Sequence, residues 1–251
     1  MYAMLNRMID IIFILIFTFF ASFVGTTTGF GTSTIMVPLL LLFLPAPQAL
    51  LFAGSIHWFG NIWKVTLFKK SSNLKLVFLF GLPGLIVSFF AALLPINLPE
   101  SLLRQILGTF IIAYIAFLVA APKWKLKASS KNAIIGGSLS GFFAGVFGVG
   151  GTIRSSFLAA YNLEKTVFIF TSGAIGFFID SARITQYLLS GTVLNSLWAI
   201  SLLCSIPVSL AGALIAKKVV LKIPQEQFRT IILLTLFCVG LVYLIFGQIY
   251  V

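Results

Sequence analysis

The residues with the most scope for chemistry in this chain stand inside apolar segments. Thr26-Thr27-Thr28-Gly29-Phe30-Gly31-Thr32-Ser33 joins hydroxyl donors to glycines. Glycine lets a helix turn and leaves amides outside the helical ladder, and the helix that restarts beyond it presents a positive dipole end. Such a tip takes an anion without needing a formal charge. Gly148-Val149-Gly150-Gly151-Thr152 offers the same chemistry later in the chain, 119 positions on (148 − 29). Arg154 follows at once, and a guanidinium holds a sulfonate or carboxylate through two parallel hydrogen bonds. A charge in an apolar span is costly unless paired or wet, so Arg154 needs a partner. The residues alone leave open a substrate anion, an ion pair with Asp180, or a side chain reaching an interface.

A second constellation sits in mid-segment. Asn61-Ile62-Trp63-Lys64 and Asp180-Ser181-Ala182-Arg183 fall at the same offset of 119 (180 − 61 and 183 − 64), and the i,i+3 spacing puts each polar pair on one helical face. Asp180 is the sole carboxylate in the middle of a predicted span, which makes it the candidate proton carrier. A fixed Asp180–Arg183 pair is the inert alternative. His57, the single histidine, lies one turn before Asn61 and is either a substrate contact or a packed, hydrogen-bonded ring.

These residues need a scaffold that brings two similar stretches together, and the sequence supplies one. Leu98-Pro99-Glu100-Ser101-Leu102-Leu103-Arg104 returns as Ile223-Pro224-Gln225-Glu226-Gln227-Phe228-Arg229, 125 positions later (224 − 99). With 60% of residues hydrophobic and 9% charged, the chain is a polytopic membrane protein. Apolar runs of about twenty residues predict helices rather than a barrel. Segments fall at roughly 9–44, 48–68, 74–94, 101–121, 132–161, 165–190, 195–216 and 226–249. The first and fifth are too long for one span and are broken by glycine.

Basic loops set the orientation. Lys69, Lys70 and Lys75, the cluster Lys123 to Lys131, and Lys217, Lys218 and Lys222 are all expected on the cytoplasmic side. An odd number of crossings in each repeat satisfies them, so the repeats are inverted. The expected organisation is a first transmembrane repeat at 1–121, a basic cytoplasmic linker at 122–131 and a second transmembrane repeat at 132–251. Each repeat contains a glycine-broken, re-entrant helical hairpin plus about three full spans. Substrate sites in duplicated carriers lie where such repeats meet.

The same residues exclude several classes. The formal net charge of +12 lies in short loops, where it serves topology and lipid headgroups rather than nucleic acid. Cys204 and Cys238 lack ligand spacing, so neither a metal nor a cofactor is expected. No P-loop is present, and no nucleophile stands beside a base, which argues against ATP hydrolysis and against an enzyme.

At the glycine motifs the chain resembles the sulfite exporter TauE/SafE family of membrane transporters. The family carries two copies of a Gly-x-Gly-Gly-Gly-type element followed by a proline. Gly29, Gly31 and Pro38 match the first, and Gly148-Val149-Gly150-Gly151 matches the second. Thr32 and Ser33 replace glycines of the first copy, Thr152 the third glycine of the second, and Phe157 its proline.

The resemblance implies movement of a small anion across the cell inner membrane: sulfite, an organosulfonate such as sulfoacetate, or a related carboxylate. Its name implies export. The expectation is a secondary transporter working by alternating access at the hairpin tips. The substrate contacts would be Thr26, Thr27, Thr28, Gly29, Gly31, Thr32, Ser33, His57, Asn61, Gly148, Gly150, Gly151, Thr152 and Arg154, with Asp180 carrying a coupled proton. An anion channel using the same tips, and a membrane assembly protein without transport, are the alternatives. A homo-oligomer is left open.

Overall fold

The computed structural model describes residues 2–29, 31–41, 43–69, 73–99 and 127–224, with the isolated positions 102, 106, 109, 113 and 227. Apart from those positions, the expected spans 101–121 and 226–249 and linker residues 122–126 lie outside the described residues. All regular structure described is helical: α1 (Tyr2–Thr28), α2 (Ser33–Leu40), α3 (Ala46–Leu67), α4 (Leu74–Ala91), α5 (Leu94–Asn97), α6 (Ser130–Phe147), α7 (Gly150–Leu158), a 3-10 turn (Ala159–Tyr161), α8 (Lys165–Leu189) and α9 (Ser196–Lys222).

Four helical stretches among the described residues are long and apolar enough to cross a bilayer: Asp10–Thr28, Leu74–Asn97, Lys165–Leu189 and Ser196–Lys222. Helix α3 has 22 residues, about 33 Å at 1.5 Å each, so its length suffices as well. Its hydropathy is lowered by His57, Asn61 and Lys64, all of them buried. The distribution of side chains is that of a protein in lipid. Phe20, Phe90 and Leu203 are exposed on the outside, while Thr18, Ser22, Ser201, Ser205 and Ser209 are buried between helices.

Both glycine breaks turn the chain back on itself. After α1, the Gly31 amide donates to the Gly25 carbonyl (3.1 Å), six residues back, and Val149 donates to Phe143 (3.2 Å) over the same separation. Gly148, at φ 72°, sits in the left-handed region that glycine tolerates best. Helix α2 then runs back beside α1, with Thr18 Oγ1 3.9 Å from Met36 Sδ. Helix α7 runs back beside α6, where Ser140 Oγ donates to the Gly150 carbonyl (2.8 Å) and the Phe157 ring covers Gly136.

The helices then pack in exchanged pairs. Helices α3 and α8 begin 119 residues apart, at Ala46 and Lys165 (165 − 46 = 119), and pack on each other. Helix α1 packs on α9, and α6 packs on α4. Single residues repeat the exchange: Arg183 lies over Gly54 and Lys64 over Gly173, each residue the counterpart of one across the contact at the same offset. Helix α9 runs to Lys222, six residues past the expected 216.

Candidate functional site

The α3–α8 contact carries a buried ionic cluster. Asp180 Oδ1 accepts from Arg183 Nε (2.7 Å) and lies 2.7 Å from Arg183 Nη2. Asp180 Oδ2 accepts from Asn61 Nδ2 (2.7 Å) and lies 3.0 Å from His57 Nδ1. Three donor atoms of Arg183 and Asn61 therefore meet the carboxylate, and the His57 ring stands against it without a hydrogen bond. Lys64 Nζ donates to Asn61 Oδ1 (3.0 Å), which extends the chain of hydrogen bonds through Asn61 to Asp180.

Arg183 ties this cluster to both breaks. Its Nη2 donates to Ser33 Oγ at the start of α2 (3.3 Å), and its Nη1 donates to the Ala144 carbonyl near the end of α6 (3.3 Å). Ser33 Oγ in turn donates to the Gly148 carbonyl, so the two breaks touch. Tyr187, one turn beyond Arg183, donates to the Gly145 carbonyl (2.6 Å). A guanidinium is suited to this bridging because its donors form a rigid fork.

A second group surrounds the first break alone. Arg154 Nε donates to Ser172 Oγ (3.0 Å), and that hydroxyl donates to the Gly29 carbonyl (2.6 Å). Gly31 packs on the His57 ring at Nε2, so closely that a Cβ there would overlap it, and its φ of 95° also favours glycine. Arg154 Nη2, His57 Nε2 and Thr32 Oγ1 are buried and have no hydrogen-bond partner among the described residues. Buried polar atoms are nearly always paired, so a cluster of such atoms needs an explanation such as a missing ligand.

The expected contacts thus divide. Gly29, Gly31, Thr32, His57 and Arg154 gather at the first break, and Ser33, Asn61, Gly148 and Asp180 join the ionic cluster between the breaks. Thr27 and Thr28 donate to their own helix, at the Phe23 and Val24 carbonyls (2.7 and 2.8 Å). Thr26 and Gly151 are buried. Thr152 Oγ1 donates to the Val149 carbonyl (2.7 Å), and Gly150 is pressed against Ser140 and Ala144 of α6. Arg154 pairs with Ser172 rather than Asp180. Sequence reasoning missed Ser172. The signal available was the glycine beside it: Gly173 repeats Gly54 at the offset of 119 (173 − 54).

The charge balance is unequal. Lys64, Arg154 and Arg183 are all buried, and Asp180 is the sole buried carboxylate among the described residues. Two formal positive charges are left without a counter-ion among the described residues, in a region where isolated charge is costly.

Among known families, the description Sulfite exporter TauE/SafE matches residues 14–243, nearly the whole chain. No curated protein matches it.

Proposed function

This chain belongs to the sulfite exporter TauE/SafE family, and we propose that it is a secondary transporter, not an enzyme, carrying a small oxyanion such as sulfite, an organosulfonate or a related carboxylate across the cell inner membrane. The observation that carries this is the surplus of positive charge buried among the described residues, with Arg154 Nη2, beside the first break, unpartnered among them. An oxyanion supplies both the missing charge and the missing acceptor. Arg154, His57 and Thr32 hold it, and Ser172 positions Arg154 against the Gly29 carbonyl.

The exchanged packing supports two inverted repeats, 1–121 and 132–251, joined by a cytoplasmic linker at 122–131. Each hairpin tip meets the other's repeat at the midplane, and rocking one repeat against the other exposes the site to either side. The family name favours export.

Uptake of labelled sulfite, sulfoacetate and a plain carboxylate into proteoliposomes tests this. Saturable movement of at least one, inhibited by the others in excess, is expected. Failure of all three to move, with folded protein inserted in both orientations, overturns it.

A further inference from the structure

Lys64 is the buried cation whose place the anion site leaves unexplained. Its side chain is fully buried, and its one hydrogen bond among the described residues runs to the neutral Asn61 Oδ1 (3.0 Å). A lysine in a membrane span ordinarily reaches for the polar surface. This one is held in, because its stem lies against Gly173 of α8, so closely that a Cβ there would overlap Lys64 Cβ. Arg154 is bonded to the preceding residue, Ser172, so consecutive residues of α8 touch both basic side chains.

Arg183, 119 positions on (183 − 64), shows what sets Lys64 apart. Three residues before Arg183 stands the carboxylate of Asp180; three before Lys64 stands the amide of Asn61. Arg183 is therefore a fixed ion pair, whereas Lys64 faces a neutral acceptor. A guanidinium keeps its proton, but an amine gives one up when burial strips the water from its charge. The hydrogen bond to Asn61 survives that change, since an amine still donates. Asp180 has no such freedom, because Arg183 and Asn61 already bond both of its oxygens.

We propose that Lys64 is the proton-coupling residue: it takes up a proton as the anion binds beside Arg154 and releases it as the anion leaves. This rests on the anion-binding reading above. The proton adds to the Nζ lone pair from hydronium or water on the side to which the site is open, so one O–H bond breaks and one N–H bond forms. The anion need not touch Lys64. Its charge offsets that of the new ammonium across a low-dielectric interior, and a monoanion and a proton together leave the net buried charge as it was. The charged groups acting on Lys64 are Asp180 from α8 and Arg154 from α7, with Arg183 bonded to the other oxygen of Asp180 and His57 two turns back on α3. Among the described residues α1, α2, α5 and α9 add none that acts on it.

The test uses full-length protein, labelled with nitrogen-15 at lysine, in lipid nanodiscs, with methanesulfonate as the probe. That anion carries no proton of its own near neutrality. Binding is followed by calorimetry, with the protons taken up counted from buffers of different ionisation enthalpy, while magnetic resonance reports the lysine Nζ signals. An ordinary lysine is still an ammonium at about pH 8, so an amine signal there stands out.

Without the anion, one amine signal is expected; with it, conversion of that signal to ammonium and uptake of about one proton per anion. On the alkaline side, the dissociation constant should rise about tenfold per pH unit, because higher pH removes the proton that binding requires. Lys64→Arg carries the charge permanently, so it should bind the anion without proton uptake and with an affinity flat in pH. Lys64→Gln never carries it, so uptake vanishes there too and binding is weaker than in Lys64→Arg. Saturable wild-type binding without an amine signal or proton uptake, or uptake that persists in either folded variant, overturns the proposal while leaving the anion site standing. Absence of saturable binding by both methanesulfonate and sulfite overturns the anion-binding reading and this proposal with it.

Discussion

Asn61 and Asp180 stand 119 residues apart at matching positions of the duplicated sequence, and their side chains touch at 2.7 Å. Contact between residues at this offset is what the proposed pair of inverted repeats would produce on its two-fold axis. Trp58 and Phe177 repeat the relationship at the same offset (177 − 58), with ring centroids 5.2 Å apart. The polar face that the sequence predicts on each helix is thus the face on which the two helices meet.

Asp180→Asn removes the counter-charge of Arg183 and should destabilise the protein by about 3–5 kcal/mol. Adding Asn61→Asp returns a carboxylate to the other side of the same contact, beside Lys64. The double variant is expected to recover roughly half or more of the lost stability, read as the midpoint of thermal unfolding in detergent. A double variant no better than Asp180→Asn would show that the two positions are not interchangeable.

Arg154→Gln should keep a hydrogen-bond donor but lose the charge. A charge-assisted hydrogen bond is worth about 1.5–3 kcal/mol, so the dissociation constant for sulfite should rise roughly tenfold to a hundredfold. Calorimetric titration measures it, and an unchanged constant removes Arg154 from the site.

Ser172→Ala leaves Arg154 charged and takes away the hydroxyl that positions it against Gly29. The bond lost is donated by a guanidinium, and a charge-assisted hydrogen bond contributes about 1.5–3 kcal/mol, so anion binding should weaken roughly tenfold or more. Stability should fall by about 1–3 kcal/mol, because the buried Arg154 Nε and the Gly29 carbonyl lose their shared partner. Comparison of affinity and unfolding midpoint in the same preparation separates positioning from general loss of fold.

Gly31→Ala places a methyl group where the His57 ring lies and forces alanine into a left-handed conformation. The cost should exceed about 1 kcal/mol, and His57 must move off Asp180. Reduced monodispersity in size-exclusion chromatography and loss of anion binding are expected together. A stable variant with wild-type affinity would mean the ring has another place to go.

Much of this arrangement is legible before folding. The glycine breaks, the i,i+3 pairs and their common offset are all properties of spacing, and spacing survives into the structure. The end of α9 is less legible, because hydropathy registers the edge of the apolar run and not the end of the helix. Lys217, Lys218 and Lys222 are good helix formers, so the helix continues through them. The threonines before the first break show a related limit of spacing. A list of hydroxyls reads as a list of donors, yet in a helix Thr27 and Thr28 spend theirs on the carbonyls four residues back. Ser172 has the opposite history: one serine in an apolar run is unremarkable until α8 is set against α7 and the first break.

On the two-repeat reading proposed above, the meeting of Asn61 with Asp180 also bears on why both repeats belong to one polypeptide. A half-length chain pairing with a copy of itself would place the same residue on both sides of that contact. Two aspartates there would repel, and two asparagines would leave the neighbouring Lys64 and Arg183 positions with no carboxylate to share. Under that proposal, joining the repeats in one chain lets them differ at the point where identity is least tolerable, so that one acidic group serves both.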